Sequence, residues 1–412
     1  MSMNAVGATW SGTHTFQAAR LVTPRTIEEA AELVASHDTI RAIGTRHSFN
    51  DLADGATLIS MLDIAPDLEL DEARAQVTVG AGTRYGVLAA WLNDRGWALK
   101  NMGSLPHISV AGANATGTHG SGNLNGVLAT SIAAIELITA SGELRRIARG
   151  DDDFEGSLIA LGALGVVSRV TLDVVPEFAM RQDVFLGVPW EAVTERLEET
   201  TSAGYSVSVF TTWDEPALSR VLVKSRAGEA VGEEFHGVRV TSKGAPDPRD
   251  NRTPQDGSVG PWMLRLPHFR LDRVPSDGDE IQTEYFVDRA DGSAAIAAVR
   301  ELAADIAPLL ITTELRTTAS DDLWLSMAYR RESLAIHFTW RNMPAEVAAV
   351  LPRIEAALAP FGARPHWGKW HAMTADRITD LYPRMTDFRA LRDRMDPARK
   401  FDNAHLRRVL GA

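Results

Sequence analysis

Two apolar stretches each carry a pair of polar side chains two positions apart. Glu314 and Arg316 form one pair, and His337 and Thr339 form the other, with a single apolar residue between the members. Because successive side chains of a strand point to opposite faces, each pair lies on one face, ~7 Å apart. Two such strands side by side would form one polar patch that binds hydroxyl groups and moves protons. The alternative is the solvated face of a half-covered antiparallel sheet.

The segment 101–122 is dense in glycine, serine and threonine. Small residues let the backbone approach a ligand closely, and a helix beginning near Ser109 would direct free amide N–H groups at an anion such as a pyrophosphate. The alternative is a small-residue loop without a ligand. The neighbouring segment 80–86 spaces its glycines as GxGxxxG, one residue too long for the nicotinamide dinucleotide fingerprint, and it lacks the matching acidic residue. We assign no ligand to it.

Two further segments carry imidazole side chains. His47 follows a short apolar stretch, where backbone amides could hold a phosphate and the imidazole could act as a nucleophile or a ligand; the alternative is a solvated loop histidine. Residues 364–371 hold two His, two Trp and a Lys, which is typical of a small-ligand pocket or of a surface loop anchored by its tryptophans. We expect no metal site, because His366 and His371 lack a third ligand at a helical spacing.

Helices and strands must position these segments. Thr26 followed by Glu29 is a capping box that predicts a helix over 27–36. Apolar periodicity predicts strands over 39–43, 76–82, 135–139, 144–147, 166–175, 205–213, 217–225, 281–287, 309–318 and 333–340, and helices over 85–96, 154–161, 190–202, 292–306 and 344–358. This grouping predicts an α+β fold with a largely antiparallel sheet and a first boundary at residue 176. The polar stretch 227–280 is either a lid or a surface insertion.

Composition excludes several classes of function. The 412 residues suggest two or three domains, and the net charge of −12 argues against a nucleic-acid partner. There is no cysteine, which removes iron–sulfur clusters and thiol nucleophiles, so any redox chemistry requires a bound cofactor. Neither a signal-peptide pattern nor an apolar run of ~18 residues is present, so we expect a cytoplasmic protein without a membrane partner. Nothing in the sequence demands a second chain, and we expect a monomer.

Together these motifs resemble the covalent-flavin oxidases of the vanillyl-alcohol-oxidase type, and within them the alditol oxidases. The matching segments are 44–50, 101–122, 161–167, 260–262, 266–269, 337–340, 364–369 and 396–401. The resemblance implies a two-domain FAD-binding fold: residues 1–176 and the returning C-terminal segment 376–412 hold FAD, and residues 177–375 form a substrate domain of antiparallel sheet plus helices. The segment 366–369 is also similar to the aldonolactone oxidases.

The resemblance also implies roles for individual residues. His47 would bond covalently to the flavin; the family often has Gly before this His, whereas Arg46 stands here. The other implied cofactor contacts are Ile43, Gly44, Thr45, Arg46, Ser48, Ser104, Ser109, Gly112, Thr116, Gly117, Val167 and His366. The implied substrate contacts are Ser104, Glu314, Arg316, Thr339 and Lys369, with Gln282, Tyr85 and His337 as further pocket candidates.

The implied reaction is FAD-dependent oxidation of the primary alcohol of an alditol, such as xylitol, sorbitol or glycerol, to the aldose, with O2 reduced to H2O2. The catalytic residues would be Arg316, Lys369, His337 and Glu314. Arg316 and Lys369 would stabilise a developing alkoxide, and either His337 or Lys369 would take the proton. The alternatives are an aldonolactone oxidase, a flavin dehydrogenase using another acceptor, and a flavin- or polyol-binding protein without turnover. The preferred chain length of the alditol stays open.

Overall fold

In the computed structural model, residues 6–229, 232–241, 250–275 and 278–411 are described, and they form many short strands and helices. The strands are β1 (Arg20–Val22), β2 (Arg41–Ile43), β3 (Thr57–Ser60), β4 (Glu69–Asp71), β5 (Gln76–Gly80), β6 (Trp97–Ala98), β7 (Ile132–Ile138), β8 (Leu144–Ala148), β9 (Val166–Asp173), β10 (Val175–Pro176), β11 (Ala179–Phe185), β12 (Ser206–Thr211), β13 (Arg220–Arg226), β14 (Glu234–Phe235), β15 (Val238–Arg239), β16 (Gly260–Pro261), β17 (Glu280–Asp288), β18 (Leu310–Thr318), β19 (Ser333–Arg341) and β20 (Arg364–Pro365).

The helices are shorter on average than the sequence pattern suggests. They are α1 (Ile27–Ser36), α2 (Tyr85–Asn93), α3 (Val110–Ala115), α4 (Phe154–Leu158), α5 (Glu191–Thr194), α6 (Leu197–Thr201), α7 (Gly292–Arg300), α8 (Ala303–Ile306), α9 (Pro344–Leu358), α10 (Ala375–Leu381), α11 (Met385–Met395) and α12 (Ala404–Leu410). Short 3₁₀ turns join several of these elements. No helix in the described parts of the chain combines the length and the apolar character that a bilayer span requires.

The N-terminal part contains a two-stranded antiparallel sheet of β6 and β10 and two larger sheets. One is parallel with the order β1-β3-β2, and the other is antiparallel with the order β4-β5-β9-β7-β8. Helix α1 begins at the residue the capping box predicts, because the Thr26 hydroxyl accepts a hydrogen bond from the Glu29 amide at 3.1 Å. Its buried side chains, Ala30 and Val34, pack in the core beneath these sheets.

The second part is built on an eight-stranded sheet with the order β16-β11-β13-β12-β18-β19-β17-β20 and antiparallel pairing. Leu315, Ile336 and Tyr285 lie in one register row and pack in a hydrophobic cluster with α7 and α9. The side chains one position along, among them Glu314 and His337, therefore point to the opposite face, toward the N-terminal part. This alternation confirms the predicted antiparallel α+β character.

The C-terminal helices α10, α11 and α12 return to the N-terminal part, where Phe388 and Leu406 share a hydrophobic cluster with Leu158. The buried Arg41 guanidinium fastens this return: it donates to the carbonyl oxygens of Phe401 at 2.7 Å, Leu52 at 2.6 Å, and Leu161 and Gly162 at 2.9 Å each. The domain boundaries at residues 176 and 375 stay a proposal.

Two predicted helices are interrupted. The segment 190–202 forms α5 and α6, because the Ala192 carbonyl accepts a hydrogen bond from the Thr200 hydroxyl at 2.5 Å instead of continuing the helical pattern. The segment 292–306 likewise divides into α7 and α8. Of the stretch 227–280, residues 230–231, 242–249 and 276–277 lie outside the described residues, so the choice between a lid and an insertion stays a prediction.

Candidate active site

A cavity of about 480 Å³ lies between the N-terminal part and the polar face of the eight-stranded sheet. The N-terminal part contributes the loop 43–50 and portions of the segments 104–118 and 161–167. The sheet contributes side chains of β17, β18 and β19, and the segment 366–369 closes one side. A volume of this size, bounded by both parts of the chain, is typical of a site for a cofactor and a small substrate.

The loop after β2 lines the cavity and contains a run of backbone N–H groups without an acceptor in the described part of the chain. Among the described residues, none accepts a hydrogen bond from the amides of residues 45–48. Arg46 has a φ of 63°, in the left-handed region, which costs a non-glycine residue on the order of 1–3 kcal/mol. Its guanidinium compensates by donating to the Val6 carbonyl at 2.6 Å. Consecutive free amides around a left-handed residue form a nest suited to a phosphate group. Arg46 stands where the family often has Gly, and it adopts the backbone conformation that favours glycine.

Glycines bring the backbone segments of the cavity floor into close contact. A Cβ on Gly44 would lie 2.5 Å from the Ser109 Oγ, and a Cβ on Gly82 would lie 2.2 Å from the Met61 carbonyl oxygen. Ala81 and Gly82 line the cavity. The segment 80–86, to which the spacing argument assigned no ligand, therefore forms part of the cofactor cavity wall, because the close approach depends on missing side chains and not on a nicotinamide-type fingerprint.

His47 lies in this loop with its ring stacked on Trp10, at 5.4 Å between ring centroids. Its Nδ1 is 3.1 Å from the Thr45 hydroxyl, which also accepts a hydrogen bond from the Ser109 amide. Burial, together with the charge of His107, lowers the pKa of His47 to about 4. The imidazole is therefore neutral near pH 7 and retains a nitrogen lone pair.

On the sheet, the two predicted polar pairs lie on neighbouring strands, as expected. Glu314 pairs in register with His337, and His337 pairs in turn with Glu284. His337 Nε2 is 3.0 Å from the Thr339 hydroxyl, and its Nδ1 is 2.7 Å from Lys369 Nζ. The two glutamates, His337 and Thr339 are buried and the Lys369 side chain is only 12% exposed, so these groups form a polar patch inside the protein and not a solvated face.

Glu284 holds the charges of this patch together. Its carboxylate accepts hydrogen bonds from Lys369 Nζ and from the Arg316 guanidinium, both at 2.6 Å, and lies 3.1 Å from His119 Nε2. Burial alone would raise the pKa of Glu284, but Lys369 and Arg316 hold it well below its ordinary value. Burial lowers the pKa of Lys369, and burial together with the Lys369 charge lowers that of His337 to about 4. The patch thus contains an ionised acid, a guanidinium and a neutral imidazole near pH 7.

A second buried carboxylate, Glu314, lies beside Arg316 and is contacted from the far side by His268, whose Nε2 is 2.7 Å from Glu314 Oε1. Burial would raise the pKa of Glu314, but the charges of Arg316 and His268 hold it well below its ordinary value. Ser104 Oγ lies 3.4 Å from an Arg316 nitrogen. Negatively and positively charged hydrogen-bonding groups therefore lie side by side along the cavity wall.

Most residues predicted for the site line this cavity: Ile43, Gly44, Thr45, Arg46, His47, Ser48, Ser104, Ser109, Gly112, Thr116, Val167, Gln282, Glu314, Arg316, His337, Thr339, His366 and Lys369. Two do not. Tyr85 is buried in the N-terminal core, where its hydroxyl accepts a hydrogen bond from the Asn114 amide at 2.9 Å. Gly117 turns with a φ of 70° and faces Met327. The structure does not bring either residue to the cavity.

Sequence reasoning missed Glu284, His119 and His268. Glu284 stands two positions after Gln282 on β17, so the same alternation that selected Glu314 and Arg316 would have found it. His268 lies in a motif segment, 266–269, to which no role was given. Two signals were therefore present in the sequence, whereas the approach of His119 from the N-terminal part depends on the tertiary structure.

The described residues also contain a group of potential metal ligands, His119, Glu284 and His366, whose ligand atoms all lie within 4.8 Å of one another. The two possible co-ligands of His366, namely His119 and Glu284, come from distant segments of the chain, so the local spacing of histidines does not predict them. Glu284 is already ion-paired with Arg316 and Lys369. The positive charges of these two side chains disfavour a metal cation at the same carboxylate.

Comparisons with known proteins agree with this geometry. The profile of an FAD binding domain matches residues 18–148, and that of D-arabinono-1,4-lactone oxidase matches residues 279–409. Alditol oxidase from a Streptomyces species is 42% identical over 99% of this chain and 100% of its own length. L-gulono-1,4-lactone dehydrogenase from Mycobacterium tuberculosis is 31% identical over 99% of this chain and 100% of its own length.

The solved structures support the fold. Cholesterol oxidase from B. sterolicum superposes with a TM-score of 0.79 at 14% identity, covering 98% of this chain and 96% of that one. Fold and cavity define an FAD-dependent oxidoreductase with two domains of mixed α+β structure. The chain belongs to the family of alditol oxidase and the sugar-lactone oxidoreductases, as its motifs predicted.

Proposed function

We propose that this protein oxidises the primary alcohol of an open-chain polyol to the aldehyde and passes the electrons to O2, which becomes H2O2. The observation that carries the proposal is the polar row on the cavity wall, formed by Glu314 and Arg316 on β18, Thr339 on β19 and Lys369 of the segment 366–369, which offers donors and acceptors side by side. Such a wall matches successive hydroxyl groups. It also rejects deoxygenated analogues, because its own buried groups would then lose their partners.

FAD fits the cavity, because the free amides of residues 45–48 suit a pyrophosphate and Gly44 lets the loop approach Ser109. Bound FAD supplies the hydride acceptor and returns the electrons to oxygen. We propose that His47 forms the covalent link, since its imidazole is neutral and is held in place by Trp10. His47→Ala should release the flavin on acid precipitation, and colour that stays with the precipitated variant would exclude this residue as the attachment site.

For the hydroxyl proton we propose Lys369 and His337 as one accepting pair. Their nitrogen atoms are 2.7 Å apart, so a proton that arrives at either side chain is shared with the other. Arg316 stabilises the negative charge that develops on the substrate oxygen. Glu284 keeps the pair positioned through its contact with Lys369.

The second candidate is oxidation of a sugar lactone, which the D-arabinono-1,4-lactone oxidase profile over 279–409 favours. Anaerobic mixing of the holoprotein with xylitol or with L-gulono-1,4-lactone separates the two, because only the true substrate bleaches the flavin absorbance. Bleaching by xylitol alone supports the polyol proposal, and bleaching by the lactone alone overturns it. If neither compound bleaches the flavin, both reactions are excluded for these probes.

The acceptor needs its own measurement. Oxygen uptake in air at the rate of flavin bleaching identifies an oxidase, whereas turnover with a dye acceptor and no oxygen uptake identifies a dehydrogenase. From the sequence we also propose a monomer located in the cytoplasm. Light scattering during size-exclusion chromatography and cell fractionation test these two proposals.

A further inference from the structure

One arginine lies on the cavity wall away from the reacting groups. Arg220, the first residue of β13, is half-buried and lines the cavity. Its guanidinium stacks on the Phe210 ring at 4.1 Å from the ring centroid. Among the described residues, none lies within hydrogen-bond or ion-pair distance of its nitrogen atoms. A guanidinium that is partly removed from water without an acceptor is costly, unless a ligand supplies the acceptor.

Its position relative to the polar row is fixed by the register of the sheet. Arg220 pairs with Phe210, Phe210 with Glu314, and Glu314 with His337, so these four side chains share one face. Adjacent strands lie ~4.8 Å apart, which puts the Arg220 backbone ~14 Å from that of His337. Because the guanidinium leans over Phe210, one strand nearer, a gap of ~10 Å separates it from the reacting end.

The other charged groups near this end of the cavity already have partners. Arg252 also lines the cavity, but Asp250 binds its guanidinium at 2.7 Å and 2.9 Å. The Glu314 carboxylate is occupied by His268 and Arg316. Within the part of the chain that the structure describes, the other arginines of the cavity, Arg41, Arg46, Arg252 and Arg316, each donate to a carbonyl or carboxylate oxygen. Arg220 is therefore the cavity arginine whose guanidinium is left for a ligand.

The length of a six-carbon polyol with a terminal anion is compatible with this separation. An extended chain advances ~3.5 Å for every three bonds, so the roughly eight bonds from the carbinol carbon of a six-carbon polyol to a terminal phosphate span about 9 Å. A ligand with its primary alcohol beside His337 and Lys369 can thus place a terminal anion at Arg220. A guanidinium binds carboxylate and phosphate groups by paired, charge-assisted hydrogen bonds.

We propose that Arg220 selects polyols whose end remote from the oxidised carbon carries a carboxylate or a phosphate monoester. The inference rests on the proposed function and narrows its substrate class. The reaction is unchanged: the primary alcohol loses a hydride and a proton to become the aldehyde, and O2 gains both electrons and two protons to become H2O2. The anion takes no part in the chemistry and contributes binding free energy only.

The test compares sorbitol with two anionic probes, sorbitol 6-phosphate and gluconate, by kcat/KM for oxygen uptake. A charge-assisted pair of ~1.5–3 kcal/mol predicts a preference of about 10- to 100-fold for at least one anionic probe. Because Arg220 lies far from the reacting carbon, the preference should be expressed in KM and not in kcat. It should also weaken as salt is added. The probe that is preferred identifies the anion.

Arg220→Met keeps an apolar stem on Phe210 and removes the charge, so it should lower kcat/KM for the anionic probe 10- to 100-fold more than for sorbitol. Arg220→Lys should retain part of the preference. The matched control is Arg95→Met, because Arg95 also stacks on an aromatic ring, Trp91 at 3.9 Å, but lies outside the cavity. It should leave the ratio of the two substrates unchanged.

A wild-type preference for sorbitol over both anionic probes would overturn the inference, as would equal losses for charged and neutral substrates in Arg220→Met. Failure of the proposed function is a separate result, namely that no polyol bleaches the flavin. In that case, calorimetric titration of the holoprotein with sorbitol 6-phosphate still decides the inference. Binding that Arg220→Met weakens about tenfold supports it, and absent or unchanged binding refutes it.

Discussion

Replacing Glu284 by Gln keeps the size of the side chain and removes the charge that holds the active-site cations. In the native protein this carboxylate is fully buried and lies 2.6 Å from both Lys369 Nζ and an Arg316 nitrogen. Breaking a buried ion pair by neutralising one partner costs about 3–5 kcal/mol, because the remaining charge stays desolvated. We expect Glu284→Gln to lose stability on this scale.

The loss should depend on pH in a defined direction. Because the pKa of Glu284 is held below its ordinary value in the folded state, its contribution to stability is complete above the unfolded carboxyl pKa of roughly 4.3. It disappears as the pH falls through the lower folded value. The difference in the free energy of unfolding between wild type and Glu284→Gln should therefore be constant from pH 6 to pH 8 and shrink in acid. Denaturant unfolding of the holoprotein at several pH values measures it.

Activity should change in a second, independent way. Without the Glu284 charge, the protonated form of Lys369 loses a partner, so the pKa of Lys369 falls further and the acid limb of the kcat/KM profile moves to lower pH. Loss of positioning should also lower kcat/KM about 10²- to 10³-fold. Glu301→Gln, at an exposed position outside the site, is the matched control. A variant at Glu284 with native stability and an unmoved acid limb would refute the assignment of Glu284 as the charge partner.

Three further substitutions test other parts of the site. Gly44→Ala puts a Cβ 2.5 Å from the Ser109 Oγ and should weaken flavin retention, measured by the ratio of flavin to protein absorbance; adding Ser109→Ala should restore it, and no rescue would contradict the steric cause. Arg316→Ala should lower kcat/KM about 10²- to 10⁴-fold, since buried partners lose their hydrogen bonds; turnover near the wild-type value would remove Arg316 from the site. Burial lowers the pKa of Lys224 to about 7, so its desolvation penalty grows as the pH falls from ~10.4 to 7. The melting temperature of Lys224→Met minus that of wild type should therefore be higher at pH 6 than at pH 9. A difference in melting temperature that does not change with pH would contradict this.

Much of the site could be predicted because strand alternation is a local property. Glu314 with Arg316, and His337 with Thr339, each had to share a face once their segments were strands. That the two pairs meet depends on the register between β18 and β19, which local pattern does not determine. The polar patch was also compatible with a solvated face, and burial became evident only when the N-terminal part was seen to cover it.

The remaining errors have physical causes. Tyr85 follows two glycines and begins a helix, and nothing local indicates that its ring turns inward to Asn114 instead of toward the cavity. Glu284 was not among the predicted residues, although it is the third member of an alternating polar set on β17, after Glu280 and Gln282. Arg220 has no local signature, since an arginine at the start of a strand is usually solvated, and only the absence of a described acceptor on the cavity wall distinguishes it.

The contacts of Arg41 also have a consequence for synthesis on the ribosome. The strands and helices between residues 179 and 365 are contiguous in the chain and can assemble as soon as they emerge. The N-terminal part, in contrast, leaves the ribosome first but is completed last. Arg41 can donate to the Phe401 carbonyl only after that residue and the helix α12 have been synthesised. Nascent chains stalled before residue 401 should therefore contain a folded segment 179–365 and an incomplete N-terminal part, which makes the contact between Arg41 and Phe401 a prerequisite for cofactor loading.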